Sequence, residues 1–141
     1  MKQHKHRILV VDDEASVLFT YRMLLERHGY AATAVLSSRE AIAEVSQHPF
    51  DLLLCDLSLE EGHTGFEVLE AARAIDPDAA CVLLTGYATS DEANQAERLG
   101  IDVLYKPIEI QQFLDTIATV LRKTYEQQTE DERRAHRSQA S

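Results

Sequence analysis

Two cysteines, Cys55 and Cys81, are too few to frame a fold with disulfides. If the apolar runs that end and begin at them are neighbouring parallel strands, the two lie several residues out of step, beyond the roughly 7 Å Cα separation a bridge tolerates. They read instead as small buried apolar side chains. No apolar run approaches the roughly 18 to 20 residues that span a bilayer. The opening Lys2-Gln3-His4-Lys5-His6-Arg7 leads into a strand rather than into the apolar core of a signal peptide. A clustered basic face is also missing, and a net charge of −10 over 141 residues argues against nucleic acid as a direct partner. His4, His6, His28, His48, His63 and His136 show no metal-ligand spacing, which sets a zinc site aside. What remains is an acidic, soluble, cytoplasmic chain, long enough for one domain with a proper core and too short for two ordinary ones.

What is present is a strict alternation of strand and helix. Ile8 to Val11 is a β-run, and Val17, Leu18, Tyr21, Leu24 and Leu25 recur at helical spacing until Gly29 stops the helix. Ala31 to Val35 is a second, weaker strand. Ser38 is the expected N-cap of a helix carrying Ala41, Ile42 and Val45, which ends near Pro49. Leu52 to Cys55 is uniformly apolar, as a parallel strand covered on both faces should be. A polar loop from Ser58 to Thr64 precedes a helix marked by Phe66, Leu69, Ala72 and Ile75 and closed by Asp76-Pro77-Asp78. Cys81 to Leu84 is the fourth strand. The helix from Asp91 to Leu99 has only the thin stripe Ala93, Ala96 and Leu99, so it packs weakly and is a candidate for movement. Val103 to Tyr105 is the fifth strand, followed by a helix with the apolar face Ile110, Phe113, Leu114, Ile117 and Leu121. Five βα units in series imply an α/β, doubly wound parallel sheet with right-handed crossovers.

Four of these strands end in residues suited to phosphate chemistry: Asp12-Asp13, Asp56, Thr85 and Lys106. In a parallel sheet all four endings share one carboxyl edge, where open α/β folds place their ligands. Three carboxylates crowded there repel one another unless a hard divalent cation such as Mg²⁺ lies among them. Each ending also has a plainer use. Asp12 and Asp13 suit a helix amino terminus, Asp56 a polar turn, Thr85 a cap and Lys106 a solvated strand end. Capping does not predict their convergence on one edge.

The segments Val10-Val11-Asp12-Asp13-Glu14, Asp56, Leu84-Thr85-Gly86-Tyr87-Ala88 and Tyr105-Lys106-Pro107 resemble the receiver domain of bacterial two-component response regulators, in order and from about Arg7 to Arg122. The resemblance implies a flavodoxin-like (βα)₅ sheet of strand order 2-1-3-4-5. It makes Asp56 the phospho-acceptor, and it places Mg²⁺ among Asp12, Asp13, Asp56 and the backbone carbonyl of Ser58. Thr85 becomes the switch hydroxyl and Lys106 the cation that pairs with Asp56. A histidine kinase or phosphotransfer protein would be the phosphoryl donor. The chain would be a signalling switch rather than a turnover enzyme, read through the Asp91–Leu99 helix, the last strand and the last helix by an unknown partner or a second copy of itself.

Two features depart from the family pattern. Glu60 stands where a proline is usual four residues after the acceptor, and Gly65 follows Asp56 by nine residues, making that loop one residue longer. The approach from Gly100 to Lys106 is one residue shorter, so Val103 falls where a mobile aromatic is usual, and Tyr105 is set aside as a replacement on grounds of strand alternation. The expected readout therefore uses Thr85 and the helix after it, without an aromatic rotamer switch. Residues 1–6 form a basic lead-in, 7–122 the receiver, and 123–141 a charged tail, disordered or a helical extension, with disorder favoured because nothing apolar remains to bury. Two alternatives stand beside a lone receiver: the amino-terminal receiver of a longer transcriptional regulator, and a phosphatase resembling haloacid dehalogenases, which also forms an aspartyl phosphate but carries its nucleophile on the first strand.

Overall fold

A computed structural model of the chain describes residues 5–140. Its elements are β1 (Arg7–Val11), α1 (Ala15–Arg27), β2 (Ala31–Val35), α2 (Ser38–Gln47), β3 (Leu52–Asp56), a 3₁₀ turn (Glu60–Gly62), α3 (Gly65–Ile75), β4 (Cys81–Thr85), α4 (Ser90–Arg98), β5 (Asp102–Tyr105) and α5 (Ile110–Ala140). The five strands form one parallel sheet in the order β2-β1-β3-β4-β5. This is the doubly wound arrangement expected from the alternation of runs.

The apolar runs explain the placement of the strands. β3 and β4 are buried at every residue, and β1 at all but Arg7. β2 is half-buried throughout, and β5, the other edge strand, is buried only at Leu104. Winding starts at β1 and leaves in opposite directions to β2 and β3, so the crevice beyond the carboxyl ends of β1 and β3 is the topological switch point. Leu53 pairs with Cys81 and Cys55 with Leu83, which puts the two cysteines two residues out of step. Both thiols are free and buried, and burial pushes the Cys81 thiol up to about 12.

Helix boundaries hold one correction. Ser37, not Ser38, is the N-cap of α2: its hydroxyl accepts from the Glu40 amide at 3.1 Å, while Ser38 is the first helical residue and is turned inward, 2% exposed. α4 begins with a capping box between Thr89 and Glu92, and only Ala96 of its own residues is buried. Its far end is held by Arg73 of α3, whose Nη1 donates to the Leu99 carbonyl at 2.8 Å. Arg73 thereby supplies a cation to carbonyls that a helix end leaves unsatisfied.

Residues up to Ile108 make one compact unit, and α5 belongs to a second. α5 is a single helix to Ala140, in contrast to the disorder favoured from its charge. The segment has neither Gly nor Pro to break it. Side chains one or two turns apart also pair along it: Gln127 with Asp131 at 3.0 Å, and Arg134 and Arg137 with Glu130 at 3.5 and 3.2 Å. Of the basic lead-in, residues 1–4 lie outside the described residues.

Candidate functional site

Asp12, just past β1, and Asp56, the last residue of β3, each use their carboxylate twice. Asp12 accepts from the Glu14 amide at 2.9 Å through Oδ1, and Asp56 accepts from the Ser58 amide at 3.1 Å through Oδ1. Such bonds to the amide two residues on are how Asp turns a chain at a strand end. The second oxygen of each faces Lys106, whose Nζ lies 2.8 Å from Asp56 Oδ2 and 3.3 Å from Asp12 Oδ2. One ammonium therefore bridges the two neighbouring strands from beyond the end of β5. Its backbone is fixed in turn, since the Lys106 amide donates to the Thr85 carbonyl at 2.7 Å.

Asp12 is 1% exposed and Asp56 8%, whereas Asp13 is open to solvent. Carboxylate oxygens of all three lie within 4.8 Å of one another. Burial raises the Asp56 pKa, and the Asp12 charge adds to that; the hydrogen bond and charge of Lys106 and the Ser58 amide pull the other way without cancelling it. For Lys106, burial opposes the charge, but the hydrogen bond and attraction of Asp56, then of Asp12, outweigh it and hold the ammonium protonated well above the ordinary lysine value. The donor set left over is all oxygen, with lone pairs unused on three carboxylates. That set fits a hard divalent cation of the Mg²⁺ kind.

Asp12, Asp13, Asp56 and Lys106 thus come together, and Ser58 joins them through its amide. Thr85 closes β4 next to Asp56, opposite Tyr105, and is 3% exposed. Its hydroxyl donates to the Tyr87 carbonyl at 2.7 Å and accepts from the Tyr87 amide at 3.2 Å. The alternation argument against Tyr105 does not hold. Val103 and Tyr105 share a parity, opposite Leu83 and Thr85, so they face the same side of the sheet. They differ in depth: Val103 packs on the core and Tyr105 is half exposed.

Four further residues shape the site. A Cβ on Gly65, the first residue of α3, would lie 2.7 Å from the Asp56 carbonyl oxygen and 2.8 Å from Leu83 Cδ2, so only glycine lets α3 approach the end of β3. The longer loop before it is absorbed by two left-handed residues, Glu61 (φ 44°) and Gly62 (φ 81°). Tyr21 of α1, read from its spacing as a core position, feels the charges of Lys106, Asp12 and Asp56, and burial raises its pKa. Nothing in helical periodicity separates such a tyrosine from a purely apolar one.

The fold and site define a class: a flavodoxin-like α/β domain with an acidic, lysine-bridged centre at its switch point. The chain belongs to the response regulator receiver domain family, whose model matches residues 8–118. The transcriptional regulatory protein ZraR of Salmonella typhimurium is 32% identical over 127 residues, covering 89% of this chain and 29% of that protein. The alginate biosynthesis transcriptional regulatory protein AlgB of Pseudomonas aeruginosa is 38% identical over 102 residues, 72% of this chain and 22% of that protein. Among solved structures, a CheY-like receiver domain protein from Methanospirillum hungatei superposes with a TM-score of 0.82 at 28% identity, covering 88% of this chain and 99% of that one. Residues 8–118 are accordingly a response regulator receiver domain, a signalling module. Family membership, with Asp56 on β3 rather than β1, replaces the phosphatase alternative. No helix among the described residues is long and apolar enough to cross a membrane.

Proposed function

We propose that Asp56 accepts a phosphoryl group from a phosphohistidine on a sensor kinase or phosphotransfer protein, and that Thr85 and α4 report its arrival. The observation that carries this is the Lys106 bridge from Asp56 to Asp12 inside a cluster of three carboxylates. An Asp56 oxygen attacks phosphorus, the P–N bond breaks, and the departing imidazole keeps the electron pair and takes a proton. Nucleophile and incoming group are both anionic, so positioning and charge stabilisation dominate the barrier.

Asp12, Asp13, Asp56 and the Ser58 carbonyl would hold Mg²⁺, which when bound neutralises part of that charge and orients phosphoryl oxygens. Lys106 supplies a compact point charge to another oxygen. Thr85 has a single proton to give, and it is committed to the Tyr87 carbonyl. Turning the hydroxyl to the phosphate frees that carbonyl in the turn leading to the Thr89 cap of α4. Incubation with Mg²⁺ and acetyl phosphate followed by intact mass spectrometry tests the reading. One phosphoryl adduct is expected on the unsubstituted chain and none on Asp56→Asn; no adduct on either overturns it.

A second reading concerns context. The chain spans 29% and 22% of the length of ZraR and AlgB, two transcriptional regulatory proteins. This supports a role as the receiver portion of a longer transcriptional regulator, with DNA contact left to another part. The reading of the native gene beyond Ser141 decides between that and a lone switch acting on a separate partner or on a second copy of itself.

A further inference from the structure

Glu60, which replaces the usual proline, leaves its own loop and closes the start of α2. Its Oε1 accepts from the Ser38 amide at 2.8 Å, and its Oε2 accepts from the same amide at 3.1 Å and from the Ser38 hydroxyl at 2.6 Å. The Ser38 amide is one of the donors a helix start leaves without an internal partner, and the helix dipole favours a carboxylate there. Ser38 is 2% exposed, so this acceptor is not readily replaced by water.

The same loop is tied tightly to the acidic centre. The Ser58 amide donates to Asp56, the Leu59 amide to the His63 carbonyl at 2.8 Å, the His63 amide to the Glu60 carbonyl at 2.8 Å, and the Gly65 amide to the Leu57 carbonyl at 2.9 Å. Leu57 and Leu59 are buried on either side of Ser58. The segment is thus held at one end by Asp56 and in its middle by α2. Glu60 is outside the carboxylate cluster, which among the described residues comprises Asp12, Asp13 and Asp56.

We propose that Glu60 is a positioning residue: its clamp on Ser38 sets the height of the loop, and with it the Ser58 carbonyl at the cation site. The inference rests on the Mg²⁺ reading above. Calorimetric Mg²⁺ titration of the full chain tests it. Glu60→Ala should weaken binding about 10-fold, the low end for removal of an outer-shell partner, and Ser38→Ala should weaken it in the same direction but less. Glu60→Gln keeps an acceptor oxygen while losing the charge, so it should stay within about 3-fold of the unsubstituted chain. Glu61→Gln, an equal loss of charge one residue on, should change nothing. In the metal-free protein, amide exchange at Leu59 and His63 should quicken in Glu60→Ala but not in Glu60→Gln. If Glu60→Gln is as weak as Glu60→Ala, or Glu61→Gln matches them, the effect is charge alone and the positioning role is refuted. Full Mg²⁺ affinity in both Glu60→Ala and Ser38→Ala refutes it too, leaving the cation site standing. Failure of the unsubstituted chain to bind Mg²⁺ removes both readings. Should Glu60→Ala not fold, the Ser38→Ala and Glu60→Gln pair carries the same comparison.

Discussion

Gly65→Ala adds one methyl group at the point where α3 meets the end of β3. The added carbon would stand 2.7 Å from the Asp56 carbonyl oxygen, 2.8 Å from Leu83 Cδ2 and 3.3 Å from Cys55 Sγ. Leu83 is fully buried and the carbonyl is backbone, so neither neighbour yields cheaply. Overpacking of this kind costs about 1–3 kcal/mol. Alanine recovers up to about 1 kcal/mol through helix propensity and the narrower unfolded ensemble. The net expectation is a loss of about 1–2 kcal/mol, a shift of the urea midpoint with an unchanged slope. The strain falls on Asp56, the proposed acceptor, so Mg²⁺ affinity should drop as well. Gly86 is the control: nothing lies within 4 Å of a Cβ built there, and Gly86→Ala should be neutral or slightly stabilising. Equal stability of Gly65→Ala and Gly86→Ala in urea melts, with equal Mg²⁺ affinities, would refute the close-approach argument.

Lys106→Met leaves two buried carboxylates without their shared cation and should destabilise the metal-free chain by about 2 kcal/mol, below the 3–5 of a fully buried pair because the ammonium is partly exposed. Chemical denaturation with and without Mg²⁺ checks this; an unchanged melt would mean the bridge carries no weight. Thr85→Val should leave the Asp56 adduct in place but abolish the phosphorylation-dependent change in amide exchange across α4. Tyr105→Ala should retain both, and loss of the α4 response in that variant would put the exposed ring into the switch. The His63 pKa is raised by its hydrogen bond to Glu67 at 2.7 Å and by the Glu67 charge. The folded state thus holds that proton more tightly, so the pair stabilises fully below the ordinary histidine value of about 6.5 and fades as pH rises through the raised one. Urea melts of Glu67→Gln should show a loss at about pH 5.5 that is absent at about pH 8.5; a loss independent of pH would exclude the ion pair.

Strand endings were the most legible part of this sequence because each is backed by an uninterrupted apolar run. Leu52 to Cys55 admits burial on both faces and nothing else, and once it is central, Asp56 must emerge at the carboxyl edge. Strand order came from the family resemblance, because right-handed crossovers alone leave more than one doubly wound order open. The β3–α3 loop was not legible in the same way. That Glu60 would reach Ser38 depends on how Glu61 and Gly62 turn the chain, and a left-handed glutamate has no sequence signature. The N-cap fell on Ser37 rather than Ser38 for a related reason: two adjacent serines are equal candidates until the second is claimed by a distant carboxylate. The tail shows the limit of composition, since charge on every side favours disorder while i,i+4 pairs and the lack of Gly and Pro favour the helix that forms.

The charge balance of the centre explains why arrival of a phosphoryl group would be felt at Thr85. Three carboxylates against one ammonium leave two formal negative charges, the amount one divalent cation offsets. Phosphorylation exchanges the single charge of Asp56 for a group carrying about two, and Lys106 is already shared between two acceptors. The next donor along the edge is the Thr85 hydroxyl, bound to the neutral Tyr87 carbonyl. A neutral hydrogen bond contributes about 1 kcal/mol net and one to a charged oxygen about 1.5–3. Exchanging one for the other favours the turned state by roughly 0.5–2 kcal/mol, within or just below the usual range of coupling free energies. Such a surplus shifts a two-state equilibrium by about 2- to 30-fold. α4 can respond to so small a bias because Ala96 is its one buried residue, while Arg73 holds its far end through the Leu99 carbonyl.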